Sequence, residues 1–205
     1  MKKNRGLIIC TGYSLRQHLE LIPRFDGLLF GPNNTYRDFP LDVWLACDPT
    51  WHNFYGKVEG DFDKWHWDED VCTLYGYQHV TGVWHEGLWL KDKTKISLNH
   101  GSAPQLINLA ANQYNLTEIV LVGHDFHYDA PQRHYFDAVS ETPGEYPSPL
   151  RKFSKFIKTN GQDDLLAVYG RIARSIEGTG IRIVNATPDS KLHHFPKVQL
   201  EEYCR

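Results

Sequence analysis

The amino-acid sequence predicts an α/β protein with a Rossmann-like, mainly parallel sheet that has helices on both faces. Two observations lead to this prediction: short, continuously apolar runs alternate with amphipathic segments, and each apolar run ends in polar or turn-forming residues. The chain has 205 residues, of which 41% are hydrophobic, and this suits one core of ordinary size. We therefore expect residues 1–205 to form a single domain.

Three apolar runs predict the strands of the first part of the chain. They span residues 6–10, 27–30 and 43–47. Directly after the first run, Ser14 is expected to cap a helix, because apolar residues then recur at helical spacing at Leu15, Leu19 and Ile22. The pattern predicts a strand, a tight turn and a helix.

The second part of the chain repeats the alternation. Pro104 fits the first turn of an apolar helix that leads into a strand at residues 119–122. An amphipathic helix is predicted at residues 165–176 and a last strand at residues 181–184.

Two segments differ from this regular pattern. All six tryptophans lie between Trp44 and Trp89, and we expect residues 51–95 to form an aromatic-rich insertion beside the sheet. Its aromatic side chains either stack on the sugar rings or bases of an acceptor or pack as a small hydrophobic core. Residues 130–160 contain four prolines and then a basic run, which predicts a lid-like loop.

Composition excludes several classes of protein. A net charge of −3 and a pI of about 6.4 argue against a dedicated binder of duplex DNA. No apolar run reaches the roughly 18 residues needed to span a bilayer, and the first run is too short for a signal peptide. The four cysteines form no C-x-x-C pair, so we expect reduced thiols and a cytoplasmic protein.

Polar residues follow the predicted strands and should meet along one edge of the sheet. Parallel α/β sheets bind ligands outside the carboxyl ends of their strands. The residues expected along this edge are Thr11, Gly12, Asn33, Asp48, Asp125 and Asn185. The turn from Thr11 to Ser14 suits a phosphate, although an ordinary capped turn has the same pattern.

Six short motifs follow one another along the chain, at residues 10–15, 30–33, 118–128, 135–137, 163–165 and 183–188. Their order resembles that of the bacterial sialyltransferases of glycosyltransferase family 42. It also resembles the related motility-accessory-factor and hydroxymethylpterin-pyrophosphokinase-like proteins. The resemblance is strongest from Asn99 to Asp137 and misses most of the aromatic insertion.

This resemblance implies a transferase that moves a sugar from a CMP- or UDP-linked donor to a hydroxyl acceptor. Gly12 and Ser14 would lie at the phosphate, Asn33 near the phosphate or sugar, and Asp125 at the ribose or base. The full set expected at the nucleotide is Thr11, Gly12, Ser14, Asn33, Asp48, Asn99, Gly101, Ser102, Gly123, His124 and Phe126. The acceptor is left open between a glycan, a small molecule and a modified nucleic acid, as is assembly into a homo-oligomer.

The general base departs from the family pattern. The sialyltransferases use a histidine in the loop before the last helix, but residues 146–164 contain no histidine. An imidazole can take a hydroxyl proton at neutral pH, and Asp125 or Asp137 could orient it. The replacement candidates are His134, which we favour, His127 and His124.

Two other functions are left open by the sequence. Asp48 and Asp125 at neighbouring strand ends could hold magnesium in a pyrophosphoryl or nucleotidyl transferase, as in the pyrophosphokinase-like relatives. A protein that keeps the nucleotide cleft without catalysis is the other alternative. Zinc is not expected, since no third ligand follows the pair His124 and His127 at close spacing.

Overall fold

Seven parallel strands form the main sheet in a computed structural model that describes residues 4–98, 101–127, 135 and 162–205. The predicted α/β fold with a mainly parallel, Rossmann-like sheet is confirmed. Two further strands, β6 and β7, pair in a small parallel sheet of their own. The strands are β1 Arg5–Ile9, β2 Leu28–Pro32, β3 Val43–Leu45, β4 Asp63–His66, β5 Gln78–His79, β6 Thr81–Val83, β7 Lys95–Ser97, β8 Glu118–Val122 and β9 Arg182–Asn185.

The strand order reverses once, between β1 and β8. The sheet has the order β5-β4-β3-β2-β1-β8-β9, so the chain first builds outwards from β1 and later returns to its other side. Strand β1 pairs in register with both β2 and β8. In open parallel sheets a ligand crevice usually lies at the carboxyl edge, beside such a reversal point.

Alternate residues of the strands β1, β2, β3, β8 and β9 enter two separate cores. Ile8 packs on one face beneath the helices α3 (Ser102–Asn112) and α4 (Gln162–Ser175). Leu7 and Ile9 pack on the other face, which is covered by shorter elements, including α1 (His52–Tyr55) and α2 (Glu69–Tyr75). Both faces are therefore buried, which explains why the strands are continuously apolar.

The segment after β1 differs from the predicted helix. It forms two short 3₁₀ helices, Tyr13–His18 and Ile22–Arg24, and Leu19 between them is exposed. Ser14 does not cap a helix, because its hydroxyl and its N–H both bond to Asp125. This tertiary contact holds the chain in a tighter turn than helical spacing alone predicts.

The segment at residues 51–95, expected as an insertion beside the sheet, contributes two strands to it. β4 pairs with β3, and β5 pairs with β4, so the sheet continues through this segment. Both strands are short and partly polar, and β5 forms the edge of the sheet, so apolar runs alone do not reveal them. Only β6 and β7 stand apart from the main sheet.

Most aromatic side chains of this region belong to the core, as the second of the two interpretations expected. Trp44 is fully buried and its ring contacts those of Trp51, His52 and Tyr77. Trp84 is the contrast, since 82% of it is exposed. The buried aromatic side chains of this region therefore mainly stabilise one face of the sheet.

Three further expectations concern the chain as a whole. All four cysteines are free thiols. No helix within the described ranges is long and apolar enough to cross a bilayer. The expected lid-like loop at residues 130–160 lies outside the described residues except for Tyr135.

Candidate functional site

The loops that follow β1 and β8 bond to each other at the strand-order reversal. The N–H of Gly12 donates to the Gly123 carbonyl at 2.9 Å. The N–H of Ser14 donates to Asp125 Oδ2 at 2.8 Å, and the Ser14 hydroxyl donates to Asp125 Oδ1. The structure thus brings together four of the predicted site residues, two from each loop.

Both glycines are required for this close approach. A Cβ atom on Gly12 would lie 2.5 Å from the Gly123 carbonyl oxygen and 2.6 Å from Asp125 Oδ1. Gly123 has φ of +71°, and a Cβ there would lie 2.6 Å from the Cys10 carbonyl oxygen. Larger residues would therefore force the two loops apart.

This bonding changes the role expected for the turn after β1. The sequence predicts that the amides near Gly12 and Ser14 face a phosphate. In the structure, the N–H of Gly12 and the N–H of Ser14 both donate within the protein. The Asp125 carboxylate takes the place in front of Ser14 that was expected for an anion, so a phosphate needs other donors.

A second group of predicted residues joins the ends of β2 and β3 to the start of α3. The Ser102 hydroxyl oxygen accepts from the Cys47 N–H at 3.0 Å, and the hydroxyl donates to Asn33 Oδ1 at 3.4 Å. Asn33 has a positive φ of 50°, and its carbonyl accepts from Trp44 Nε1 at 2.7 Å. Asn33 and Ser102 therefore lie together on the predicted edge of the sheet.

The sequence placed Asn185 at the ligand edge but gave no role to Thr187 and Ser190, which bond to the loop after β8. The N–H of His124 donates to Thr187 Oγ1 at 3.0 Å, and the Ser190 hydroxyl donates to the His124 carbonyl. Asn185, expected on the ligand edge, is instead fully buried, and its Oδ1 accepts from the Thr187 N–H. The only signal for the loop after β9 was its cluster of hydroxyl and amide residues directly after a strand.

His124 does not suit the role of general base. It is 2% exposed, and burial lowers the pKa of its imidazole to about 4. Its Nδ1 lies 3.1 Å from the Val122 carbonyl, which makes Nδ1 the protonated nitrogen. The prediction of His124 as a candidate base is corrected: the ring is a neutral part of the core that an acceptor cannot reach.

His127 is the candidate base within the described residues. Its Nε2 lies 2.6 Å from the Asp189 carbonyl, so Nε2 carries the proton and Nδ1 keeps its lone pair. The side chain is half-buried. His134, the favoured candidate, and Asp137 lie outside the described residues.

The other predicted residues have varied surroundings. Phe126 is buried against Tyr169 and has φ of +61°, and Asp48 is exposed after β3. The Thr11 carbonyl accepts from the Tyr135 N–H at 3.1 Å.

Two predicted residues lie at or before the start of α3. Gly101 precedes α3 with φ of +106°, and Asn99 is outside the described residues. Within the part of the chain that is described, no three His, Cys, Asp or Glu side chains form a metal-binding group.

A cavity of about 380 Å³ lies at the opposite, amino-terminal edge of the sheet. It is lined by residues that begin β2, β3 and β4, among them Asp42 and Asp63. Asp63 accepts from the Tyr114 hydroxyl and from Gln78 Nε2, and Asp42 Oδ2 accepts from the Leu29 N–H. These carboxylates are used within the fold, and the residues that line the cavity include none of the predicted site residues.

The contact between Ser14 and Asp125 can be measured by a double-mutant cycle. We expect Ser14→Ala and Asp125→Ala each to lower the free energy of unfolding, with a coupling of about 1–2 kcal/mol between them. The reason is that the hydroxyl and the carboxylate oxygen are partners in a half-buried contact. Urea unfolding followed by tryptophan fluorescence measures the four variants of the cycle.

The matched control is the exposed pair Thr94 and Asp92, in which a threonine hydroxyl also donates to a carboxylate. Its cycle should give a much smaller coupling, because water competes for both groups. Equal coupling in the two cycles would contradict a special role for the contact between the loops.

Comparison of the chain with protein-family models, curated proteins and solved structures finds no match. The resemblance to glycosyltransferase family 42 rests on the order of the motifs alone. The function must therefore be argued from the site.

Proposed function

We propose that this protein is a nucleotide-sugar-dependent glycosyltransferase of the sialyltransferase-like kind. Its donor would bind in the crevice at the carboxyl ends of β1 and β8. The acceptor hydroxyl would attack the anomeric carbon of the sugar, lose its proton to a base and displace the nucleotide as the leaving group. The transfer reaction itself is inferred from the motifs that resemble the family.

One observation carries the location of the nucleotide. Strand order reverses between β1 and β8, and the loops that leave these strands hold four predicted site residues. A crevice at such a reversal is the usual ligand site of an open parallel sheet. Asn33 and Ser102 extend the polar edge along β2 and α3, which suits a ligand as long as a nucleotide sugar.

His127 is the residue proposed to activate the acceptor. The Asp189 carbonyl fixes its tautomer, so its Nδ1 can accept a proton without rearrangement. His127 lies two residues after Asp125, on the loop that follows β8. The proposed base thus belongs to the loop after β8, whereas the family has its histidine in the loop before the last helix.

A nucleotide screen tests this proposal. We expect one of CMP, UDP, GDP and ADP to raise the melting temperature in a concentration-dependent way, because a ligand that binds only the folded state stabilises it. Its sugar-linked form should be hydrolysed slowly to the free sugar and nucleotide. His127→Gln should keep the nucleotide affinity and lower the hydrolysis rate by roughly a hundredfold or more. Differential scanning fluorimetry and chromatography of the products give these two measurements.

His79→Gln is the matched control, since the exposed His79 also bonds a backbone carbonyl through Nε2 but lies at the end of β5. It should leave both binding and hydrolysis unchanged. Binding without hydrolysis of any sugar-linked form would favour the non-catalytic alternative. Activity that appears only with added magnesium would favour a pyrophosphoryl or nucleotidyl transferase, and no binding by any nucleotide would contradict the proposal.

A further inference from the structure

Arg16 lies next to the turn after β1, and its charged group is held in place from one side only. Its Nε donates to the Tyr135 carbonyl at 2.6 Å, and the Tyr135 N–H in turn donates to the Thr11 carbonyl. The guanidinium carbon lies 5.1 Å from the centre of the Tyr13 ring. One hydrogen bond and one aromatic face therefore orient the guanidinium next to the turn after β1.

The rest of the guanidinium is not used within the described structure. Among the residues described, no carboxylate forms an ion pair with Arg16, and no acceptor is bonded to its Nη1 or Nη2. An arginine oriented through Nε presents these two amino groups as a planar pair of donors. Such a pair matches two oxygens of one phosphate.

A phosphate bound near the turn after β1 would need a positively charged side chain. The N–H groups of Gly12 and Ser14 are donated within the protein, and the Asp125 carboxylate adds negative charge in front of Ser14. A phosphate at this edge therefore gains little from these amides and needs a cation. Arg16 follows Ser14 by two residues and belongs to the same 3₁₀ helix.

We propose that Arg16, supported by Tyr13 and Tyr135, binds a phosphate of the nucleotide through Nη1 and Nη2. The proposal rests on the proposed function for the identity of the ligand, but the oxyanion site is a separate claim. The guanidinium compensates the charge of the phosphate while the nucleotide is bound. It also stabilises the additional charge that develops on the phosphate as the sugar leaves.

Isothermal titration of wild type, Arg16→Lys and Arg16→Gln against nucleotides and nucleosides tests this role. The probes are CMP, UMP, GMP and AMP, each compared with its own nucleoside. For the nucleotide that binds wild type, Arg16→Gln should weaken affinity by about ten- to hundredfold, because a charge-assisted pair of hydrogen bonds is lost. Arg16→Lys should lose less, since it keeps the charge without the planar pair. Affinity for the nucleoside, which lacks the phosphate, should not change.

Arg24→Gln is the matched control, because Arg24 Nε also donates to a backbone carbonyl, that of Arg205, at 2.8 Å. Arg24 lies shortly before β2, at the opposite edge of the sheet, so this variant should bind like wild type. An equal loss of nucleotide and nucleoside affinity in Arg16→Gln, or no loss, would overturn the proposal.

If wild type binds none of the nucleotides, the proposed function fails, and inorganic pyrophosphate then tests the oxyanion site alone. Pyrophosphate binding that is lost in Arg16→Gln and kept in Arg24→Gln would support the site. Pyrophosphate binding that is absent from wild type, or that is unaffected by Arg16→Gln, would overturn it.

Discussion

Lowering the pH from 7 to 4 is expected to destabilise this protein by roughly 3 kcal/mol for each of two buried histidines. His66 is fully buried and His124 nearly so. Burial, together with the neighbouring His52 in the case of His66, lowers the pKa of each imidazole from 6.5 to about 4. This is the largest effect that the structure leads us to expect.

The direction follows from which state binds more protons. At pH 7 both rings are mainly neutral in the folded and the unfolded chain. Below pH 6.5 the unfolded chain takes up protons that the folded chain excludes until about pH 4. The contribution of the two neutral histidines to stability is therefore complete above pH 6.5 and is lost as the pH falls from 6.5 to about 4. The slope is up to about 1.4 kcal/mol per pH unit for each histidine.

Urea unfolding at several pH values between 7.5 and 4, followed by tryptophan fluorescence, measures this slope. His66→Gln and His124→Gln should each reduce the slope of the free energy of unfolding against pH by up to about 1.4 kcal/mol per pH unit. This reduction is expected whatever each substitution does to stability at pH 7. His193→Gln is the control, since this histidine is exposed. If all three variants keep the slope of wild type, the buried histidines are not its source.

Replacing Gly12 with alanine is expected to lower the free energy of unfolding by about 3 kcal/mol and to abolish the nucleotide binding that we propose. The added Cβ would meet the Gly123 carbonyl oxygen at 2.5 Å and Asp125 Oδ1 at 2.6 Å. Because one of these atoms belongs to the backbone, the two loops must separate. The bonds from Ser14 to Asp125 and from Gly12 to Gly123 would then be lost together.

Gly170→Ala provides the control for Gly12→Ala. Its Cβ would lie 3.0 Å from an atom of the His194 ring, but this side chain is exposed and can shift. Alanine also improves helix propensity within α4 by up to about 1 kcal/mol, so the net change should be small. Chemical unfolding and nucleotide titration of the two variants give the comparison. Wild-type stability in Gly12→Ala would show that the loops do not require this close approach.

The course of the chain could largely be predicted from local patterns. Five apolar runs predicted strands, and the structure has strands at β1, β2, β3, β8 and β9 with bounds within a few residues. The helices α3 and α4 were predicted in the same way. β4 and β5 were missed because they are short and partly polar. Their sequences show neither the two-residue period of a strand nor the 3.6-residue period of a helix.

The candidate site was predicted only as a set of residues along one edge. Residues that follow parallel strands are expected to meet there, and Gly12, Ser14, Gly123 and Asp125 do, whereas Asn185 is buried. The partner of each residue could not be predicted, because Ser14 and Asp125 are 111 residues apart. The role of Arg16 was missed for the same reason, since its orientation depends on the carbonyl of Tyr135.

The sequence alone determined the fold class, because strand and helix periods are local properties that each segment carries by itself. The tertiary structure decided which polar groups are buried within the fold and which stay accessible at the carboxyl edge of the sheet. His124 and His127 illustrate this difference: three residues apart, one is buried beneath the Thr187 loop and the other is half-exposed. Segments that are distant in sequence bury a side chain and supply its hydrogen-bond partners, so a local pattern of residues cannot predict either property.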